Sequence, residues 1–372
     1  MKVCNEFAKN GFEVKLVTPR YFRLEYRKSK DEIWSLYNLS TKFPIVELPS
    51  VLWDNMPTFL LRIQLFPLFL LYYLYGIWRG RIDSETVLYS TAHVSYVPAV
   101  LLRKIGLLKC KLVFMKYDFD SEKIIHKFVA QSVDGLLVTN EYLRERVVKE
   151  YGVAESTVFR VGFPSLYEEM QPLLRLTTEE ARQTLGLGVS DKIVMYSGKI
   201  SPALLEIRYI LSAATLLPDL KLVFVGVRDS DRKDFERFKE ENHLSNVEFI
   251  GFQPLSQLQL YLRAADVLVS YYDSFDPLSS NQRVPAKAGI YFAANKPLVF
   301  ADLPSLREWW NDSLVFFAPP DRPELLADKI NYIITHPAEG ELKASLCLEF
   351  AKHNTYGRAY REVSCFIRSL AS

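Results

Sequence analysis

The chain has 372 residues, of which 49% are hydrophobic and 24% charged, and its formal net charge is +2. This length exceeds what a single hydrophobic core usually supports, so two domains are expected. The near-neutral charge, without a block of basic residues, argues against nucleic acid as the main partner. Cys4, Cys110, Cys347 and Cys365 lie far apart without metal-ligand spacing, which disfavours a metal centre or a disulfide framework and favours a reducing compartment. No apolar run follows the N-terminal lysine, so a signal peptide is not expected.

Strands alternate with helices along the first half of the chain, which predicts a parallel α/β sheet. The hydrophobic runs predict strands over 12–18, 86–90, 111–115, 135–139 and 157–161. A helix is expected over 95–105, after the second of these strands. Ligands of open α/β sheets bind beyond the carboxyl ends of the strands. The loops after 86–90 and 111–115 are therefore candidate site segments.

The longest apolar run, residues 58–78, predicts a helix of about the length that crosses a membrane. Arg62 lies inside it and Pro67 near its centre, which argues against a span. We expect a helix that packs on the first domain and docks partly at a membrane surface, where Arg79 and Arg81 suit the headgroup region. A plain buried helix is the alternative, and the sequence does not separate the two.

The second half repeats the alternation after a polar stretch at 165–190, at whose beginning we place the interdomain linker. Within that stretch Thr177 is expected to cap a helix, with Glu180 completing a capping box. The hydrophobic runs predict strands over 192–199, 220–226, 247–252 and 265–270, with a helix over 255–264 before the last of them.

The stretch QRVPAKAGIYFAANKPLVFAD combines a helix start with basic residues. Pro285 suits the first turn of a helix, and Arg283 and Lys287 beside that turn favour a phosphate group at the helix N-terminus. Asn295 is a candidate left-handed cap before a buried strand. An ordinary helix-to-strand connection is the alternative interpretation of this stretch.

The same stretch resembles the P-x-K-x-x-E-Y-x-A-x-x-K-P element of GT-B glycosyltransferases of the retaining family-4, or glycosyl transferases group 1, type, which use nucleotide sugars. The matching positions are Pro285, Lys287, Tyr291, Ala293, Lys296 and Pro297. Ile290 stands where the family has the glutamate that holds the donor ribose, and isoleucine cannot accept a hydroxyl hydrogen bond. The family's E-x7-E pair therefore reads Gln282 and Ile290 here.

The resemblance implies an α/β protein with the GT-B fold, in which two Rossmann-like domains face each other across a cleft. Residues 1–165 would form the acceptor-side domain and 166–350 the nucleotide-sugar domain. Residues 351–372 would form a C-terminal helix that crosses back to the first domain. In the family a first strand and a glycine-rich loop precede the first helix, and the sequence starts inside that helix without them.

In the resembled family the loop after the first strand of the second domain faces the donor diphosphate, and Gly198-Lys199 takes that place here. Lys199 replaces an arginine and can still neutralise phosphate charge, though without the bidentate fork of a guanidinium. The family's second basic residue is missing from 201–205. The donor-binding residues implied by the resemblance are Gly198, Lys199, Gly226, Phe252, Asn281, Gln282, Arg283, Lys287 and Ile290.

His93, Tyr117 and Asp118 are the catalytic candidates in the first domain. His93 follows the strand at 86–90, but a loop histidine bonded to nearby backbone is the alternative. Many relatives have a histidine where Tyr117 stands, and a tyrosine that titrates near pH 10 cannot replace it as acid or base without a large shift. Asp118 can take a polar role in the site or cap the next helix.

The expected function is a glycosyltransferase that moves a sugar from a nucleotide-sugar donor to a saccharide or lipid-linked acceptor in cell-surface polysaccharide biosynthesis. No cofactor and no metal are expected, because the protein's own cations neutralise the leaving diphosphate. The substituted motif positions favour an alternative, a catalytically silent relative that acts as a binding or partner subunit. The expected location is cytoplasmic and peripheral on the inner face of a membrane, through residues 58–81.

Overall fold

The structure is a computed structural model that describes residues 1–19, 34, 37, 39–50, 58–116, 123–200, 205–272, 274, 277–282 and 284–370. The chain divides into two compact units. The first consists of Met1–Gly162 with Ala359–Ser372, and the second of Phe163–Arg358. The boundaries predicted from the sequence were 165/166 and 350/351, so the second unit begins three residues earlier and ends eight residues later than expected.

The strands of the described residues form three parallel sheets. Their bounds are β1 Leu16–Pro19, β2 Ile45–Leu48, β3 Val87–Ser90, β4 Lys111–Lys116, β5 Gly135–Val138, β6 Val158–Arg160, β7 Ile193–Ile200, β8 Lys221–Val227, β9 Val247–Gly251, β10 Val267–Ser270, β11 Leu298–Ala301 and β12 Phe316–Ala318. Most lie within two residues of the predicted strands. The run at 12–18 begins pairing only at Leu16, whose amide donates to the carbonyl of Pro44.

The α-helices of the described residues connect these strands. Their bounds are α1 Lys2–Lys9, α2 Thr58–Trp78, α3 His93–Lys104, α4 Lys123–Ala130, α5 Glu141–Tyr151, α6 Tyr167–Met170, α7 Thr178–Leu185, α8 Leu205–Thr215, α9 Asp229–Glu241, α10 Leu255–Ala264, α11 Pro277–Gln282, α12 Ala288–Tyr291, α13 Pro304–Arg307, α14 Pro323–Thr335, α15 Pro337–His353 and α16 Tyr356–Ser369. Short 3₁₀ turns lie at Glu155–Thr157, Gln171–Arg175 and Phe292–Ala294.

The first unit is built on β3 to β6, which pair in chain order, beside the pair β1 and β2. Its centre is β5, where every residue is buried. The last helix, α16, packs on this sheet, with the ring of Phe366 stacked on Phe159 at 5.0 Å. Gly135 leaves room for that helix, because a Cβ there would lie 2.7 Å from Leu370 Cδ1. The C-terminal residues therefore complete the first unit rather than extend the second.

The second unit contains a six-stranded parallel sheet in the order β12-β11-β10-β7-β8-β9. Counted from β7, this is the doubly wound order 3-2-1-4-5-6. From β7 the chain adds β8 and β9 toward one edge of the sheet, and from β10 it adds β11 and β12 toward the other edge. The topological switch point therefore lies between β7 and β10. In such sheets ligands bind outside the carboxyl ends of the strands at this point.

A buried polar network attaches α7 to the sheet. The capping box is present, because the amide of Glu180 donates to Thr177 Oγ1 at 3.1 Å and the amide of Thr177 donates to Glu180 Oε2 at 2.7 Å. The Arg182 guanidinium contacts Asp266 at 2.6 Å, and the same carboxylate accepts from the amide of Ile193 at 2.6 Å. This network fixes where α7 meets the start of β7 and β10.

Candidate functional site

Two glycines shape the carboxyl ends of β7 and β8. Gly198 has φ +136° and Gly226 has φ +118°, backbone conformations that glycine adopts most readily. The pairing of β7 with β8 shifts register between Ser197 and Ile200, so each strand bulges at its glycine. A Cβ on Gly226 would lie 2.2 Å from the carbonyl oxygen of Gly198. The two backbones can therefore touch only without a side chain at position 226.

Lys287 places a positive charge against this bulge. A Cβ on Gly198 would lie 3.3 Å from Lys287 Cε and 3.5 Å from its Nζ. The ammonium also lies 3.6 Å from the ring centroid of Tyr196 and 5.5 Å from that of Tyr272. Aromatic faces attract a cation by about 0.5–2 kcal/mol. The side chain is thus held over exposed backbone at the switch point.

Tyr291 joins the segment that carries Lys287 to β7. Its hydroxyl accepts from the backbone amide of Ser197 at 2.6 Å and from Ser197 Oγ at 3.1 Å. Burial raises the pKa of Tyr291 to about 12, so the hydroxyl keeps its proton at neutral pH. Because Ser197 directly precedes Gly198, this contact sets the position of the bulge relative to Lys287.

The α-helix predicted to start near Pro285 begins three residues later, at Ala288. Residues 285–287 make a turn in which Ala288 N donates to Pro285 O at 2.9 Å, and α12 has only four residues before the 3₁₀ turn. Gly289 allows backbone to pack against it, since a Cβ there would lie 2.6 Å from Pro164 O. A contribution of the helix N-terminus to an anion site therefore stays a prediction. The positive charge comes from the Lys287 side chain.

The left-handed cap predicted after this segment is confirmed. Asn295 has φ 53° and ψ 55°, and the buried strand β11 follows it. Lys296, the second motif lysine, lies away from the bulge. Its Nζ donates to Thr178 Oγ1 at 2.7 Å under α7. Burial, with the Arg263 guanidinium second, lowers the pKa of Lys296 to about 7.

Two predicted donor-binding side chains are buried away from solvent. Ile290 is 4% exposed and belongs to the hydrophobic core of the second unit, so it packs rather than faces a ligand. Gln282 is 2% exposed and ends the helix α11. Asn281 precedes it on the same helix and is half-buried. Sequence reasoning missed these placements because burial depends on tertiary packing, on which it had no information.

Phe252 is the exposed candidate, 67% accessible and directly after β9. Lys199 lies within β7, but its side chain falls outside the described residues, as does all of Arg283. The predicted convergence of Lys199, Arg283 and Lys287 therefore stays a prediction. Gly198, Gly226 and Lys287 are the residues of the predicted set that the structure brings together.

The candidates of the first unit lie mostly outside the described residues. His93 is the first residue of α3, directly after β3, and its side chain is not described, nor are Tyr117 and Asp118. Beside them, a pair that the sequence did not suggest is buried. Lys116 Nζ at the end of β4 lies 3.2 Å from His126 Nε2 on α4. Tyr196, Ser197 and Tyr272 were likewise missed. Their sequence signal is position alone, because Tyr196 and Ser197 precede Gly198 and Tyr272 comes two residues after β10.

Within the part of the chain that the structure describes, no three His, Cys, Asp or Glu side chains come together as a metal site. The positive charge at the bulge is instead a lysine ammonium. This arrangement of exposed backbone and one cation can bind an anionic group such as a phosphate.

Residues 177–346 match the family model described as Glycosyl transferases group 1. This range contains α7, both glycine bulges, Lys287 and Tyr291. Comparison with the curated proteins gives no match.

Solved structures share the fold along nearly the whole chain. Sucrose-phosphate synthase from Thermosynechococcus elongatus is 17% identical with a TM-score of 0.75, over 99% of this chain and 92% of its own. Anabaena Alr3699/HepE in complex with UDP and glucose is 13% identical with a TM-score of 0.68, over 95% and 99%. The lipopolysaccharide outer core galactosyltransferase WaaB is 13% identical with a TM-score of 0.61, over 96% and 99%. At these identities the likeness shows the fold alone, and it confirms the predicted GT-B fold.

Proposed function

We propose that this chain, which has the GT-B fold and matches the group 1 family model over residues 177–346, is a glycosyltransferase that moves a sugar from a nucleotide-sugar donor to a saccharide or lipid-linked acceptor. The observation that carries the donor site is the Lys287 ammonium against Gly198 at the switch point of the second unit. The acceptor is assigned to the first unit by resemblance only.

In this proposal the donor diphosphate lies over the two glycine bulges. Gly198 leaves its backbone exposed, so phosphate oxygens can approach it closely. Negative charge develops on the leaving diphosphate as the sugar bond breaks, and a fixed cation stabilises that charge more than it stabilises the bound donor. The contact with the Tyr196 ring holds the Lys287 ammonium in place, so little reorganisation is needed. Lys199 is proposed as a second cation, and no metal or cofactor is assigned.

A uridine nucleotide is the first donor to test. The structural neighbour HepE is described in complex with UDP and with UDP-glucose, which supports this choice without deciding it. The neighbour WaaB is described as a lipopolysaccharide outer core galactosyltransferase. That description supports the proposal of a saccharide acceptor in cell-surface glycan synthesis.

The buried Ile290 favours a second candidate, a silent relative that binds a partner without turnover. The position at which the family holds the donor ribose carries an aliphatic side chain packed in the core, so another group must contact the ribose in an active enzyme. Asn281, a half-buried amide on α11, is the candidate for that contact.

Thermal unfolding of the purified chain with UDP-, GDP- and CMP-sugars tests the proposal. A ligand at about 100 times its dissociation constant stabilises by about 2.7 kcal/mol, so a true donor should raise the midpoint clearly. Donor hydrolysis or transfer measured with the same compound then separates an enzyme from a binding subunit. A shift without turnover favours the silent relative, and no shift with any of the three compounds contradicts the donor site.

A further inference from the structure

The helix α2 presents two apolar faces, and only one of them is covered by protein. Leu65, Phe69 and Tyr73 lie four residues apart on one side and are 3–6% exposed. The Tyr73 hydroxyl donates to the carbonyl of Ser95 on α3 at 3.0 Å. This inner face belongs to the core of the first unit, so α2 is a packed element of that unit. The prediction that the helix packs on the domain is confirmed.

The opposite side of α2 is apolar and open. An α-helix has 3.6 residues per turn, so a second set of residues lies on the face directly across from Leu65, Phe69 and Tyr73. We call this set the outer face. Its members are Ile63 (63% exposed), Pro67, Leu71 (62%), Leu74 (37%), Tyr75 (49%) and Trp78 (76%). An apolar stripe this long on the surface marks an interaction site, and it rules out the plain buried helix considered from the sequence.

Length and composition alone would allow α2 to cross a membrane, since Leu60–Trp78 spans 19 residues with mean hydropathy 1.5. The inner face argues against this orientation. A spanning helix would have to carry Tyr73 and its bond to Ser95 into the bilayer together with α3, which ends in Arg103 and Lys104. A helix that lies in the plane of the surface keeps the inner face on the protein and immerses only the outer face.

The charge around the outer face selects the partner. Residues 58–82 contain Arg62, Arg79 and Arg81 and no acidic residue. Arg79 and Arg81 are exposed, and their guanidinium carbons lie 5.8 Å from the ring centroid of Trp78 and 5.9 Å from that of Tyr75. Aromatic rings and basic residues at one helix end suit the boundary between headgroups and acyl chains. Asp83 and Glu85 follow this end as exposed carboxylates, and Asp83 accepts hydrogen bonds from the amide and hydroxyl of Thr86 in the turn after the helix.

We propose that the first unit docks on an anionic phospholipid bilayer through the outer face of α2, with the helix in the plane of the surface and Arg79 and Arg81 at the headgroups. Pairing of two copies through the same face is less favourable, because segments without acidic residues would bring only like charges together. The inference holds whether or not the second unit binds a nucleotide sugar.

Sedimentation of the full chain with vesicles tests the proposal. The chain should bind vesicles of phosphatidylcholine with phosphatidylglycerol and bind much less to phosphatidylcholine alone. Leu71→Glu should weaken binding at least about tenfold, since it removes an immersed side chain and adds a negative charge. Arg79→Ala with Arg81→Ala should weaken it by about 25-fold, because each basic residue at an anionic surface contributes about fivefold.

The matched control is Leu342→Glu, because Leu342 on α15 of the second unit is 60% exposed, close to the value for Leu71. This variant should bind vesicles as the unchanged chain does, and circular dichroism melts should show that all variants fold. Absence of binding to anionic vesicles overturns the proposal, as does equal binding by the Leu71 and Leu342 variants. Size-exclusion chromatography supplies the remaining outcome. A dimer that Leu71→Glu dissociates, without vesicle binding, would assign the face to self-association and overturn the membrane proposal.

Discussion

Two lysines at the ends of one motif have opposite surroundings. Lys287 lies at the carboxyl end of β7, with its ammonium 3.6 Å from the Tyr196 ring centroid and against exposed backbone at Gly198. Lys296 lies under α7, is 7% exposed and donates to Thr178 Oγ1. The electron-rich faces of aromatic rings favour a cation, whereas burial near Arg263 and at a helix N-terminus disfavours one. The first end of the segment can therefore present charge to a ligand, and the second end supports the fold.

The difference shows what a motif match can establish. The motif identifies the segment by the spacing of both lysines with Pro285, Tyr291, Ala293 and Pro297. Spacing does not distinguish a side chain at the switch point from one buried under a helix. The distinction follows from where the chain enters and leaves the sheet. It predicts that removing the charge at the first end weakens ligand binding, whereas removing the charge at the second end changes stability and its dependence on pH.

The largest expected effect is at the glycine pair that shapes the first end. Gly226→Ala places a Cβ 2.2 Å from the carbonyl oxygen of Gly198 at a φ of +118°. Backbone cannot yield as a flexible side chain can, so we expect a loss of about 3 kcal/mol or more in the free energy of unfolding. Urea unfolding measures this loss.

Gly186→Ala is the matched control near the second end. Gly186 caps α7 with φ +68°, and nothing lies within 4 Å of a Cβ there. Only the backbone preference is lost, so the cost should be about 1 kcal/mol. Equal losses in the two variants would show that the close approach of the two bulges contributes nothing.

The next effect in size concerns Ile290. Ile290→Glu buries a carboxylate in the hydrophobic core of the second unit, and we expect a loss of about 2–3 kcal/mol. Leu325→Glu, at a position 43% exposed in the same unit, should cost less than about 0.5 kcal/mol. Tighter nucleotide binding by the Ile290 variant without lost stability would contradict the buried placement and would show that a carboxylate there can still reach a ribose.

Part of the fold and part of the candidate site could be predicted from the sequence. The alternation of strands and helices predicted the parallel sheets, because burial on both faces leaves continuous apolar runs. The capping box at Thr177 and the left-handed Asn295 followed from local backbone chemistry. The close approach of the Pro164 carbonyl to Gly289 could not be predicted, since it joins residues far apart in the sequence. Burial of Ile290 and Gln282 depends on the same tertiary packing.

A smaller effect, mainly on binding, is expected at Lys287. Lys287→Ala removes the charge-assisted contact to phosphate and should weaken nucleotide binding by about 1–3 kcal/mol, whereas the free energy of unfolding should fall by less than about 1 kcal/mol with loss of the contact to Tyr196. Lys192→Ala is the control, because Lys192 is exposed at the opposite end of β7. Titration calorimetry with the donor found by thermal shift measures the change. Similar affinities for the two variants would remove Lys287 from the site.

The effect that is smallest at neutral pH is a change in pH dependence at Lys296. Burial, with the Arg263 guanidinium second, lowers the pKa of this lysine from 10.5 in its ordinary state to about 7 in the folded protein. Between these values the unfolded chain binds a proton that the folded chain has released. The free energy of unfolding should therefore rise with pH from about 7 upward, by at most about 1.4 kcal/mol per pH unit from this group. Below about pH 7 both states are protonated, and the contribution is a constant penalty to the folded protein.

Lys296→Met removes the titrating group and keeps most of the volume, so it isolates this contribution. The difference in free energy of unfolding, unchanged chain minus variant, should be flat below about pH 7 and increase between about pH 7 and 9, because other titrating groups cancel in the subtraction. Urea unfolding at several pH values measures it. Lys192→Met should give a flat difference throughout, since Lys192 is exposed. A flat difference for Lys296→Met as well would mean that Lys296 keeps its charge in the folded protein, and the contrast between the two motif lysines would then rest on position alone.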